Sequence, residues 1–324
     1  MPDRGDLPPP VEDLAVREGV SAAELVEALG RAGGFTAKKV AQAAQTFVDM
    51  RRSGMTVILS FPAALVATGA RGVIRDMVRR RAVDALVTTC GTLDHDLARL
   101  WKTYHRGEFE MDDVDLARRG IHRLGSVLVP EESYGAVLEE KLQPILADLH
   151  ARKAVWGPRE LVHAIAGRLA GEPRREESIL WWCHERGVPV FVPGITDGAV
   201  GAQAWLFREK HRDFVLDVLA DERELSDLVH RARGKLGALM LGGGISKHHV
   251  IWWAQFARGL DAAVYVTTAP EWDGSLSGAR LREAISWGKL KEGARHVTIE
   301  GDATLVLPLL WAASVGRLPP EPVA

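Results

Sequence analysis

Short, almost wholly apolar runs recur along the chain, separated by stretches in which apolar residues fall three or four positions apart. Six runs read as strands: "TVILSF" (56–61), "DALVTTCG" (84–91), "VPVFVPG" (188–194), "GALMLGGG" (237–244), "AAVYVTT" (262–268) and "HVTIEGD" (296–302). They do not alternate apolar with polar residues, so they predict strands covered on both faces. With helical patterns between them, they predict an α/β fold of stacked βαβ units, a mostly parallel sheet with helices on both faces. Residues from about 100 to 187 contain "GEFEMDDVDLARRG" and several amphipathic helices, with "SVLVP" (126–130) as one short strand, and read as a helical insertion. A single large domain over 21–324 is expected, preceded by a polar, Pro-rich arm over 1–20 that is flexible or held by a partner.

Composition narrows the class. With 47% hydrophobic and 26% charged residues, the chain can bury a sizeable core. The 41 basic and 43 acidic residues leave a formal charge of −2, which gives no general attraction to nucleic acid or to an anionic membrane. No run of about 18 apolar residues is present, and the first residues lack the apolar core of an export signal. Cys90 and Cys183 are too few for a disulfide framework or a Cys-rich metal site. A cytoplasmic protein without a metal is therefore expected.

The candidate chemistry lies where the strand candidates end. In a parallel sheet the carboxyl ends form the ligand-binding edge. "LMLGGGISKHHV" places Gly242, Gly243 and Gly244 between a strand and a helix. Glycines allow close backbone approach, and the helix start offers free N–H groups to a phosphate, which suits a dinucleotide pyrophosphate. The spacing is neither G-x-G-x-x-G nor a Walker A loop, and a plain packing turn is the alternative. His248 and His249 point about 100° apart on a helix, so they cannot share one metal as an i, i+4 pair would; one of them could handle a proton at the ligand edge. Asp197, Asp273, Glu283 and Asp302 also fall near strand ends. They could hold ribose hydroxyls or a polyamine, or each could simply cap a turn or helix.

In "EAISWGKLKEG" (283–293), Lys289 follows Trp287 and Gly288. An ordinary lysine is almost wholly protonated at pH 7, so a nucleophilic one needs a poorly hydrated pocket or a nearby cation. Trp287 could form such a wall, making Schiff-base chemistry possible. A solvated surface charge is the ordinary alternative.

Taken together, "LVTTCGTLDHDL", "GIHRLGSVLVPEESY", "VPVFVPGITDGAVG", "LMLGGGISKHHV", "AVYVTTAPEWDGSLSGARLREAISWGK" and "GDATLVLPLL" resemble the deoxyhypusine synthase family over nearly the whole chain. The resemblance implies a Rossmann-like fold, bound NAD, and a homotetramer whose active sites are shared across dimer interfaces. It implies NAD-dependent transfer of the aminobutyl group of spermidine, through an imine on Lys289, to a lysine of the translation initiation factor 5A precursor. His248, Trp287 and Glu283 then match polyamine-site positions. Thr89, Asp197, Gly243, Thr268, Asp273, Ser277 and Asp302 match nucleotide-site positions.

Three positions depart from that pattern. Ala202 and Leu276 stand where eukaryotic members carry aspartates that help to hold spermidine, and the "GSLSG" form resembles the archaeal branch. His95 replaces a glutamate near the nucleotide, which leaves its role open. A homospermidine-synthase-like transfer to a small diamine is the nearest alternative, and a non-catalytic NAD-binding protein a further one.

Overall fold

The computed structural model describes residues 8–232 and 235–320. Six strands form its central sheet: β1 (Thr56–Phe61), β2 (Ala85–Thr88), β3 (Val190–Phe191), β4 (Leu236–Leu241), β5 (Leu260–Thr267) and β6 (Leu290–Glu300). Each overlaps one of the six expected apolar runs, although β4 and β5 begin slightly before theirs and β6 several residues before. The spatial order is β3-β2-β1-β4-β5-β6, with every neighbouring pair parallel. The order reverses between β1 and β4, as in Rossmann sheets, and that reversal opens a crevice at the carboxyl ends. One aliphatic row, Val190, Leu86, Leu59, Leu239, Val264 and Val297, runs in register across the whole sheet.

The main helices are α1 (Ala22–Ala32), α2 (Phe35–Arg52), α3 (Ala70–Arg79), α4 (Cys90–Trp101), α5 (Gly135–His150), α6 (Ala199–Lys210), α7 (Gly244–Ala254) and α8 (Ala303–Val315). On one face of the sheet Leu59, Leu239 and Val264 share a buried cluster with Phe47 of α2, Ile74 of α3 and Leu310 of α8. On the other, Ile58, Met240 and Tyr265 share one with Val250 and Ile251 of α7. Helices therefore cover both faces, which is why the strands carry apolar residues at successive positions.

Ser21 begins α1 with a capping box: its Oγ accepts from the Glu24 N–H at 3.2 Å, and Glu24 Oε2 accepts from the Ser21 N–H at 2.8 Å. Before it, residues 8–20 form no helix or strand, and Glu12 pairs with Arg31 of α1 at 3.1 Å. Residues 1–7 of the expected arm lie outside the described residues.

The insertion is less purely helical than its pattern suggests. The expected strand is present as Val127–Pro130, but it lies between two antiparallel partners, His105–Arg106 and Ile121–Leu124. Those partners are short and half-exposed or exposed, so they leave no apolar run to read.

Two buried carboxylates on α4 fasten the insertion and the loops to the sheet. Asp96 accepts from Arg71 Nε at 2.7 Å, from Ser178 Oγ at 2.6 Å, and from the N–H groups of Ile179 and Leu180, each at 3.0 Å. It thus neutralises a buried arginine and caps the helix Ile179–Arg186. Asp94 accepts from the Ala199 and Val200 N–H groups at 2.8 Å, at the start of α6, and from Tyr134 Oη at 2.7 Å. Burial pushes its carboxyl above the usual range.

Removing Asp96 leaves the Arg71 charge buried and two helix N–H groups without their acceptor. Asp96→Ala is expected to lower the unfolding free energy by about 3–5 kcal/mol, read from urea denaturation. A loss below about 1 kcal/mol would show that Arg71 finds water once its partner is gone.

Candidate active site

The carboxyl edge of the sheet opens into a cleft of about 890 Å³. Pro62 after β1, Gly242 after β4, Thr268 after β5, and Gly301 and Asp302 after β6 line one side. Tyr104, Phe109 and Val127 of the insertion line the other. The sheet topology thus gathers three of the candidate residues, Gly242, Thr268 and Asp302, while the insertion supplies a wall that sequence reasoning missed.

Gly242 bridges β4 and α7 with φ +72°, a conformation in which glycine is unstrained. Gly243 follows at the head of α7, which has no side-chain cap, so its first N–H groups remain available. Gly244 adopts φ +71° and opens the helix. A Cβ on Gly243 would lie 2.6 Å from Ser277 Cβ and overlap the Ser277 backbone. The missing side chain at Gly243 therefore admits the Ser277 loop, a close approach the sequence reading had assigned to pyrophosphate.

That loop is held from below by a residue the sequence reading passed over. Lys247 of α7 is 2% exposed. Its Nζ donates to the Leu276 carbonyl at 2.8 Å and the Ala279 carbonyl at 2.6 Å, and sits 3.8 Å from the Tyr265 ring centroid. Burial pushes its pKa down to about 8, with Arg280 acting in the same direction and the Glu283 carboxylate opposing. The signal was in the spacing: Lys247, Val250, Ile251 and Ala254 form one inward stripe at i, i+3, i+4 and i+7. Ser277 itself accepts from Tyr265 Oη at 2.6 Å and Thr267 Oγ1 at 3.0 Å through its carbonyl.

The strand-end acids mostly cap local structure. Asp302 caps α8 through the Thr304 N–H at 2.7 Å, while also lining the cleft. Asp273 accepts from the Ser275 N–H at 3.2 Å. Asp197 is exposed in the loop after β3. Glu283 accepts from the Arg280 N–H at 3.0 Å and opens the four-residue helix Glu283–Ser286, which leads to the amino end of β6 rather than its carboxyl end. Thr89 begins α4, and its Oγ1 accepts from the Ala63 N–H beside the cleft at 3.1 Å. His95 lies 2.9 Å from Tyr104 Oη, and burial, aided by the Arg99 charge, pushes it down to about 4, so it is neutral at pH 7.

Lys289 occupies a separate place. It immediately precedes β6 and is 8% exposed. Its Nζ lies 5.1 Å from the Trp287 ring centroid and 5.6 Å from that of Trp252, and no carboxylate pairs with it among the described residues. His248 of α7 is 5.8 Å from Trp252, and burial together with the Lys289 charge lowers its pKa. Lys289, Trp287, Trp252 and His248 thus form one group, with Glu283 on the short helix leading into it.

This group does not meet the cleft of its own chain. The Lys289 carbonyl accepts from the Leu260 N–H at the start of β5, whereas Thr268 follows the end of that strand. The seven residue steps from Leu260 to Thr267 span about 23 Å, beyond the reach of a lysine side chain. Trp287 is 71% exposed and Trp252 43%, so the lysine's surroundings open onto the molecular surface.

Residues 24–314 match the family model described as deoxyhypusine synthase. A probable deoxyhypusine synthase of Picrophilus torridus is 49% identical over 96% of this chain and 98% of its own length. One of Ignicoccus hospitalis is 50% identical over 95% and 96%. A crystal structure assigned to a deoxyhypusine synthase of Entamoeba histolytica superposes with a TM-score of 0.64 at 19% identity, covering 95% of this chain and 98% of that one, which supports the fold.

Lys247 gives a test of the loop anchor. Its lowered pKa means that the unfolded chain binds more protons between about pH 8 and pH 10.5, so its contribution to stability improves as pH rises through that window. Relative to Lys247→Met, the parent should gain up to roughly 3 kcal/mol of unfolding free energy between pH 8 and 10.5. A difference that stays flat or falls would show that Lys247 is hydrated.

Proposed function

The chain belongs to the deoxyhypusine synthase family and is a transferase, and on that premise we propose that it moves the 4-aminobutyl group of spermidine, through an imine on Lys289, to a specific lysine of the translation initiation factor 5A precursor. The observation that carries the reading is the setting of Lys289: buried against two indoles, without a carboxylate partner among the described residues. No ion pair holds an amine so placed back from an electrophilic carbon, and a second copy covering the two indoles would keep water from the resulting imine.

The cleft fits NAD in size and chemistry. Its volume of about 890 Å³ lies in the range of dinucleotide-sized pockets, Gly242 exposes backbone, α7 presents uncapped N–H groups, and Asp302 offers a carboxylate at the rim. When bound, NAD would accept hydride from the amine and return it at the end of the transfer. Gly242 and Gly244 would admit the pyrophosphate, with Thr268 and Asp302 near the ribose. Thr89, Asp197, Gly243, Asp273 and Ser277 complete the proposed nucleotide set.

The separation of Lys289 from its own cleft supports a site shared between two copies, with the lysine of one facing the cleft of the other, in a homotetramer. His248, whose pKa burial and the neighbouring Lys289 charge lower, would take the proton from Lys289 and so free its lone pair for attack. Once hydride has left the amine carbon, Lys289 Nζ would add to that carbon's C=N bond; the bond to the departing nitrogen then breaks, 1,3-diaminopropane leaves with that electron pair and the proton held on His248, and the C=N bond to Lys289 remains. Trp287 and Trp252 would stack on the cationic amine, and Glu283 would balance its charge. We place the enzyme in the cytoplasm, where the unpaired thiols Cys90 and Cys183 would stay reduced.

One observation keeps a second acceptor in view. Ala202 and Leu276 put no carboxylate at two polyamine positions, so transfer to a small diamine is the competing reading. Incubation with NAD, spermidine and either the factor 5A precursor or putrescine decides it: labelled precursor supports the proposal, and homospermidine alone overturns it.

Lys289→Arg should bind NAD like the parent yet yield no borohydride-trapped adduct, because a guanidinium stays protonated. An adduct on that variant would sink the lysine assignment. Mixing Lys289→Ala with a cleft variant such as Gly242→Val, each inactive alone, should restore roughly a quarter of parent activity, since hybrid pairs keep one intact shared site. No recovery in hybrids shown to form would mean that each chain works alone.

A further inference from the structure

A second cleft, of about 480 Å³, lies at the amino-terminal edge of the sheet, where α2 leads into β1 and α3 into β2. Arg51, Arg52, Arg80 and Arg81 line it on one side, and Val315 and Leu318 contribute apolar surface. Arginines at helix ends commonly bind the last carbonyls and complement the helix dipole. That explains Arg51, which donates to the Met55 and Arg81 carbonyls at 3.3 and 3.2 Å and pairs with Asp84 at 2.5 Å. It also suits Arg80, paired with Asp76 at 3.0 Å.

It does not explain Arg81. Its guanidinium makes no hydrogen bond or ion pair among the described residues, and Arg52 meets only the Arg317 carbonyl, at 3.2 Å. Two of the four guanidinium groups therefore meet no carboxylate among the described residues. Arg81 also holds φ +49°, in a Schellman turn closed by its own N–H to the Val78 carbonyl and the Ala82 N–H to the Met77 carbonyl, both at 2.9 Å. The same turn ends α2 with Gly54 (φ +68°) and the helix Ile179–Arg186 with Gly187 (φ +62°). Glycine is unstrained in this conformation and arginine is not. Among the described residues only Arg258, ending the turn Gln255–Ala257, shares the anomaly.

We propose that this cleft binds a small phosphorylated ligand, with Arg81 and Arg52 on the phosphate and Val315 and Leu318 against its apolar part. The guanidinium fork matches phosphate geometry, and the apolar wall favours a phosphate ester over a bare inorganic ion. The site is separate from the catalytic cleft, which opens on the opposite edge of the sheet.

The test is calorimetric titration of the full chain with inorganic pyrophosphate, and with adenosine monophosphate as the ester probe, comparing the parent with Arg52 and Arg81 variants so that binding in this cleft is told apart from binding in the catalytic one. The parent should bind both. Arg52→Ala and Arg81→Gly should each weaken binding about tenfold, while Arg81→Lys keeps much of it. Arg81→Gly should at the same time melt about 1–3 °C higher, because the strained turn relaxes. Opposite changes in affinity and melting temperature distinguish a ligand role from a role in folding. No binding by the parent, or Arg81→Gly binding like the parent, overturns the proposal; so does Arg81→Gly melting lower, which would make the arginine a prop of the turn itself.

Discussion

A parallel sheet has two chemically different edges, and everything else in this molecule follows from their separation. The shared register across all six strands fixes the distance from the start of β5 to its end. Glycines, threonines and an aspartate collect at the carboxyl edge, beside a crevice created by the reversal of strand order between β1 and β4. The lysine stands near the amino edge, beyond the reach of that crevice. A rigid sheet cannot close such a gap by loop motion, because the strands that set it are the most buried part of the core.

The elements between those edges carry the coupling. α7 begins at the glycine turn, carries Lys247 inward to the Ser277 loop, and ends its run past His248 and Trp252 beside Lys289. Its eleven residues span about 16 Å. One short helix therefore presents backbone N–H groups at the carboxyl-edge cleft and side chains beside Lys289. Asp94 and Asp96 perform the matching task at the opposite end of the sheet, where two buried carboxylates set the starts of two helices and so the path of the chain after the insertion.

The sheet was legible because strands buried on both faces leave continuous apolar runs, and the glycine turn because few other residues accept its backbone angles. The family was legible from the combination of strand-end motifs, and its match over residues 24–314 agrees with that reading. Within the insertion Val127–Pro130 was legible as an apolar run, but its two partners were not, since His105–Arg106 is exposed and Ile121–Leu124 alternates. Lys247 was overlooked because the motif around it was read for its glycines and histidines, while its inward position shows only in the stripe it shares with Val250, Ile251 and Ala254. The strand-end acids show the limit of reading residue types alone: Asp273, Glu283 and Asp302 each satisfy a nearby N–H group, whatever else they meet.

The Ser277 loop rests against a wall at Gly243 and hangs from a tether at Lys247, and both contacts engage main-chain atoms. Leu276 supplies the tether only its carbonyl oxygen. Its side chain is therefore free to vary without moving the loop, so an acidic residue there can be exchanged for an apolar one at little structural cost. The scaffold separates what keeps the loop in place from what the loop displays, so the displayed side chain can drift in evolution while the backbone beside the glycine turn stays put.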